Sequence, residues 1–325
     1  MMEFSDTSSV LILGAKGMLG RELVRVFSSG SYEVTAWDRE ELDLANEREV
    51  REKISELWPD IIINAAAYNA VDLCEQDDAE HEKARAINAI APGILADAAN
   101  DLRAVIVHFS TDYVFDGERP EYRGAGRAPG CCGSGCSGCS YRSPSGKFDG
   151  YREHDKPKPL SRYGKTKYEG ELAVEKGTDQ HCIIRLSRLF GAPAIADGAK
   201  KSFFDAMLER VKAGEEVKAV DDEVSCFTYA PDVAEKTREL VEMEEESPFG
   251  IYHITNAGEA SWHEAAIELF RIAGISAEIA PVSGGVFARP AKRPAKSTLI
   301  NTKTEPLRDW REALRAHMGD AGTRY

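Results

Sequence analysis

Ser8-Ser9-Val10-Leu11-Ile12-Leu13-Gly14-Ala15-Lys16-Gly17-Met18-Leu19-Gly20 is the stretch on which the fold class turns. A short β-rich run ends at Gly14. From Met18 to Phe27 the apolar residues Leu19, Leu23, Val26 and Phe27 then recur on one side of a helix. Strand, glycine turn and helix together let a backbone approach a pyrophosphate, which lies against helix N-terminal amides and the positive end of the dipole. A second strand, Tyr32-Glu33-Val34-Thr35-Ala36-Trp37, follows and ends in Asp38-Arg39. Asp38 suits the ribose hydroxyls of NAD, and Arg39 suits the 2′-phosphate of NADP. The sequence leaves NADH and NADPH open.

Further along, Pro59-Asp60-Ile61-Ile62-Ile63-Asn64-Ala65-Ala66-Ala67 reads as a buried parallel strand running into small residues, against which a dinucleotide can lie. Val105-Ile106-Val107-His108-Phe109 and His181-Cys182-Ile183-Ile184-Arg185-Leu186 are further strands, with His108 and His181 read as locally satisfied. Strands alternating with helices predict a doubly wound parallel α/β sheet of Rossmann type, with ligands at the strand carboxyl ends, where Thr111 falls. The spacing of Tyr163 and Lys167, i and i+4, stacks them on one helix face. An ammonium beside a phenol favours the phenolate and lowers its pKa from about 10, which makes the pair a proton-transfer candidate. In the second half the pattern predicts a helix over 201–212, a strand over 217–220, a helix opened by Ala230-Pro231-Asp232-Val233, and a capping box at Ser261-Trp262-His263-Glu264. Ala288-Arg289-Pro290-Ala291-Lys292-Arg293-Pro294 concentrates positive charge and could receive a phosphate.

The whole chain has 325 residues and a formal net charge of -14, which suits one or two joined domains and argues against a nucleic-acid partner. The apolar runs are too short for a membrane span, and the N-terminus is acidic and polar. The expectation is a cytoplasmic protein with no membrane partner. Seven cysteines at irregular spacing make a poor disulfide framework.

Several separated blocks resemble the extended short-chain dehydrogenase/reductase superfamily and, within it, the dTDP-4-dehydrorhamnose reductase family. They are residues 13–20, 64–72, Ser110-Thr111-Asp112-Tyr113-Val114-Phe115-Asp116-Gly117, and Tyr163-Gly164-Lys165-Thr166-Lys167, with Tyr252-His253-Ile254-Thr255-Asn256, Ser261-Trp262 and 293–297. The resemblance implies reduction of the C4 ketone of a nucleotide-linked deoxysugar, with Thr111, Tyr163 and Lys167 as the catalytic triad. It implies that Gly14, Gly17, Met18, Leu19 and Gly20 surround the pyrophosphate and that Ala65, Ala66 and Ala67 run along the cofactor. It places Asp112, Tyr113, Val114, Phe115 and Arg293 at the substrate, and it leaves room for Mg2+ and for a homodimer. It divides the chain into a dinucleotide-binding Rossmann domain over 1–186, to which part of 229–257 returns, and a mainly substrate-binding lobe over 187–325. Where the family usually has Asp-Gln-x-Gly-Ser-Pro-Thr, this chain has Asp222-Glu223-Val224-Ser225-Cys226-Phe227-Thr228. That departure bears on the exact sugar. Two alternatives remain at this point: another nucleotide-sugar reductase or epimerase, and a non-catalytic dinucleotide-binding subunit like the regulatory subunit of methionine adenosyltransferase.

An insert over about 123–150, rich in Gly, Ser, Pro and Cys, interrupts the family-like pattern. Cys131, Cys132, Cys136 and Cys139 are dense enough for a zinc or iron–sulfur ligand set. They lack supporting His or a paired knuckle, so no metal is assigned there and a loop with reducible thiols is expected.

Overall fold

The computed structural model describes residues 8–118, 149–195, 201–243 and 248–322; Cys131, Cys132, Cys136 and Cys139 lie outside these residues. The strands β1 (Ser8–Leu13), β2 (Tyr32–Trp37), β3 (Ile61–Asn64), β4 (Val105–Thr111), β5 (His181–Leu186) and β6 (Gly250–His253) form one parallel sheet in the order β6-β5-β4-β3-β1-β2. Val10 pairs with Val34 on one side and Ile61 on the other, and Thr111 pairs with Leu186. Strand order reverses between β1 and β3, which opens a crevice at the carboxyl ends.

The helices are α1 (Met18–Ser28), α2 (Glu47–Leu57), α3 (Val71–Gln76), α4 (Asp78–Arg85), α5 (Ala91–Leu102), α6 (Arg162–Gly177), α7 (Phe203–Lys212), α8 (Ala230–Val241), α9 (Trp262–Ala273) and α10 (Trp310–Gly322). Alternate strand residues feed two cores. Val10, Ile12, Ile61, Ile63 and Val107 pack against Leu23 and Phe27 of α1 and Val233 of α8. Leu11, Leu13, Ile62, Ile106 and Ile183 pack against Val50 and Ile54 of α2, Leu95 of α5 and Val174 of α6. A strand covered on both faces reads as an unbroken apolar run, which is why the period-two pattern is absent here.

A third core, built on Phe204, Phe227, Leu269 and Trp310, belongs to a smaller lobe of α7, α9, α10 and short strand pairs. Val217–Val220 runs parallel to Ile279–Val282, and Val224–Ser225 is antiparallel to Ala260–Ser261. The helix expected over 201–212 starts at Phe203, because Ser202 stays extended and its hydroxyl accepts from the Asp205 amide. The capping box of α9 is present, with Ser261 and Glu264 each accepting the other's amide. Although late in sequence, β6 lies beside β5, and α8 packs on α1.

Candidate active site

Gly14 sits at φ 76°, and a Cβ there would come within 2.7 Å of the Ala66 nitrogen. A Cβ on Gly20 would come within 2.0 Å of the Gly14 carbonyl, so only hydrogen lets α1 approach the turn. The N-cap of α1 is Gly17, without a side-chain capping bond, which leaves first-turn amides for an anion. Met18 is half-buried, Leu19 is buried, and both pack on the first core. Ala65 and Ala66 are half-buried and Ala67 is exposed at the end of β3. The cradle fits a dinucleotide pyrophosphate.

The second strand ends as the sequence suggests, but Asp38 and Arg39 differ in engagement. The Asp38 carboxylate accepts the amides of Lys16 and Arg39, both at 2.9 Å. The Arg39 side chain is exposed and forms no ion pair among the described residues, whereas Lys16 pairs with Glu40 at 2.8 Å.

Thr111 ends β4 and caps the short turn Asp112–Val114, its hydroxyl accepting the Tyr113 amide at 3.2 Å. Tyr163 lies in the first turn of α6. That turn is fixed by Ser161, which accepts the Gly164 amide, and by Glu75, which accepts the Arg162 amide at 2.8 Å. The Thr111 hydroxyl donates to Asp112 Oδ1 at 3.2 Å and lies close enough to the Tyr163 phenol to oppose, in part, the effect of burial on its pKa. The Tyr163 ring meets Tyr113 edge-on, with centroids 5.8 Å apart. Lys167, one turn on, is 2 % exposed and donates to the Phe109 carbonyl at 2.6 Å. The structure therefore brings Thr111, Tyr163 and Lys167 together at the end of β4.

The electrostatics depart from the i, i+4 expectation. Burial pushes the Tyr163 phenol well above its ordinary value, with the neighbouring Tyr113 and Asp112 adding to the shift. The same desolvation lowers Lys167 to about 8, partly offset by the Glu171 carboxylate. A neutral phenol is a proton donor, which suits reduction better than oxidation. His108 also differs from expectation. Asn64 accepts from Ala66 through its carbonyl oxygen and turns its amide nitrogen to His108 Nδ1, while His108 Nε2 has no partner among the described residues. His181 is satisfied by the Thr178 carbonyl.

Four of the residues placed at the substrate have other work. Val114 and Phe115 are fully buried, Phe115 stacking on Tyr151 at 4.1 Å, so they are core rather than pocket lining. Asp112 is also buried, its Oδ2 accepting Ser297 at 2.5 Å and Ser225 at 3.1 Å. Desolvation still raises its pKa. Ser225 belongs to the divergent 222–228 loop, which thus braces the motif. Arg293 is tied to Asp72 through both carboxylate oxygens, at 3.1 and 2.7 Å, and Arg289 to Glu223. The basic stretch over 288–294 is therefore largely neutralised, with Lys292 exposed. Tyr113, half-buried against Tyr163, stays at the site, its phenol pushed up to about 12 by burial.

Two site residues escaped sequence reasoning. Asn88 bonds both the amide and the carbonyl of Tyr68 at 2.9 Å and reaches Thr166, stapling the end of β3 to α6. Arg188 follows β5 with a left-handed backbone, φ 41°. Its guanidinium donates to the carbonyls of Ala260 and Glu223 and lies over the Trp262 ring at 4.1 Å. Burial lowers its pKa to about 10. Neither residue carries a sequence motif that would have marked it. Among the described residues, no group of three or more His, Cys, Asp or Glu could hold a metal. Among them, too, no helix is long and apolar enough to cross a membrane.

Residues 8–322 match the family model described as RmlD substrate binding domain. The chain is 36% identical to the "Probable dTDP-4,6-dihydroxy-2-methyloxan-3-one 4-ketoreductase" of Streptomyces antibioticus, over 95% of this chain and 94% of that protein. It is 35% identical to the dTDP-4-dehydrorhamnose reductase of Streptomyces griseus, over 94% and 91%. The dTDP-4-dehydrorhamnose reductase of Bacillus anthracis, solved in complex with NADP, superposes with a TM-score of 0.81 at 30% identity, covering 97% of this chain and 99% of that one.

Proposed function

Since the chain belongs to the family of the RmlD substrate binding domain, we propose that it reduces the C4 ketone of dTDP-4-dehydro-L-rhamnose to dTDP-L-rhamnose with NADPH. The observation that carries this reading is the gathering of Thr111, Tyr163 and Lys167 at the end of β4, on the same carboxyl edge of the sheet as the glycine turn after β1. A nicotinamide held there would supply the hydride. Tyr163, kept neutral by burial, gives its proton to the C4 oxygen as charge develops there. Thr111 hydrogen-bonds the same oxygen and fixes its position. Lys167 spends one donor on Phe109 and offers the others to the nicotinamide ribose. The first-turn amides of α1 take the pyrophosphate. The lobe beyond residue 187 covers the nucleotide sugar, which binds in the cleft between it and the sheet.

NADPH is favoured over NADH because Asp38 is turned to backbone amides while Arg39 stays exposed beside it. Arg39→Gln should lower the NADPH-to-NADH ratio of kcat/KM by about tenfold, the scale of one charge-assisted hydrogen bond. Steady-state kinetics with both cofactors read it directly, and an unchanged ratio removes Arg39 from the 2′-phosphate.

Loss of nicotinamide absorbance on mixing the protein with NADPH and freshly generated dTDP-4-dehydro-L-rhamnose tests the function. Rapid oxidation is expected. Cofactor binding without oxidation would overturn the assignment, and turnover of a different dTDP-linked 4-ketosugar alone would reassign the substrate.

A further inference from the structure

We propose that Arg188 is the residue that grips the diphosphate of the nucleotide-sugar substrate and so sets its selectivity for a phosphorylated nucleoside. The inference rests on the reductase reading above and deepens it. Arg188 comes two residues after Leu186, which pairs with Thr111, so its backbone stands at the strand carboxyl ends where the reacting group binds. Asp112, Tyr113 and Glu223 lie close enough to favour its charged form against burial.

The argument is one of charge pairing. A diphosphate leaves water readily only for cations whose charge is not already neutralised. Around this cleft Arg293 is committed to both oxygens of Asp72, and Arg289 to Glu223. Arg188 has no ion pair among the described residues. Its two hydrogen bonds there go to the backbone carbonyls of Ala260 and Glu223, at 2.8 and 2.9 Å, which fix its position without cancelling its charge. Its faces are held by the Trp262 and Phe227 rings, with the guanidinium carbon 4.1 and 5.1 Å from the two centroids. A guanidinium has five in-plane donors, so three remain beyond these carbonyls.

The left-handed backbone supports a functional reading. A non-glycine residue at φ 41° is strained and persists only where surrounding structure holds it. The side chain reaches the carbonyls of Ala260 and Glu223, in and just before the two short strands that pair at Val224–Ser225 and Ala260–Ser261. The divergent 222–228 loop and the substrate anion are thus gathered by one side chain. Lys292 is the competing cation, but it is exposed, where solvent and salt screen its attraction.

The test uses the full-length protein and calorimetric binding of thymidine, dTMP and dTDP. Wild type should prefer dTDP over thymidine. Arg188→Gln should weaken dTDP by about ten- to a hundredfold while thymidine and NADPH binding hold, the size of a lost charged hydrogen bond. Arg188→Lys, which keeps charge but loses the fork, should recover part of the loss. NADPH binding reports that the variants fold, and KM for the sugar nucleotide should rise more than kcat falls. An unchanged dTDP-to-thymidine ratio in Arg188→Gln, or the loss appearing in Lys292→Gln instead, overturns the proposal. Failure of the wild type to bind dTDP at all would instead defeat the reductase reading on which it rests.

Discussion

Tyr163→Phe is expected to lower kcat by about 10²–10⁴, the usual contribution of a positioned general acid, while leaving the Kd for NADPH nearly unchanged. The substitution deletes only the hydroxyl. The edge-on contact with Tyr113 and the Ser161 cap of α6 do not involve that atom, so the helix and its Lys167 should stay in place. What disappears is the proton proposed for the C4 alkoxide. Single-turnover reduction under saturating NADPH isolates the chemical step from product release. Wild-type turnover in this variant would show that the proton comes from elsewhere.

The same two groups set the pH dependence. Lys167 falls to about 8 through burial, so its charge is present below that pH and lost as pH rises through it. The phenol is pushed above its ordinary value and stays protonated over this range. The kcat/KM for NADPH should therefore fall above about pH 8, a limb that reports Lys167 in the free enzyme. A flat profile to pH 9.5 would mean that the ammonium charge is not needed for cofactor capture.

Local chemistry made the first half of the chain readable, while long-range pairing hid much of the second. Gly14, Gly17 and Gly20 announce themselves because steric exclusion acts between near neighbours, and Tyr163 and Lys167 because one helical turn brings them together. Arg293 looks free in sequence because its partner, Asp72, lies 221 residues away. Asp112 looks available for substrate until Ser225 and Ser297, from the far lobe, close on its carboxylate. Val114 and Phe115 follow Thr111 so closely that the motif carries them, in sequence, toward the pocket. The turn Asp112–Val114 instead sends both into a core with Tyr151 and Leu299. A phenol–ammonium pair also reads differently once burial is known, because desolvation raises one partner and lowers the other.

Glu171→Gln should cost about 3–5 kcal/mol of stability, because it strands a buried guanidinium. Arg185 and Glu171 each have side chains 1% exposed and meet through two bonds, Nε to Oε1 at 2.9 Å and Nη2 to Oε2 at 2.6 Å. Arg185 also lies over Phe115 and donates to the Glu153 carbonyl, contacts that cannot replace a counter-charge. Urea denaturation reads the loss, and a variant within about 0.5 kcal/mol of wild type would show that Arg185 finds another partner. Replacing both residues together, Glu171→Leu with Arg185→Met, should restore much of the stability, since well-packed apolar pairs often equal a buried ion pair. The bridge further links folding to chemistry: Glu171 sits one turn beyond Lys167 on α6, and its negative charge raises the Lys167 pKa. Removing that charge disfavours the ammonium. The alkaline limb of kcat/KM should then move to lower pH in Glu171→Gln, even where enough protein remains folded to assay. A stability loss with an unmoved limb would confine the bridge to holding β5 against α6; both changes together would make it part of how the site keeps its lysine charged.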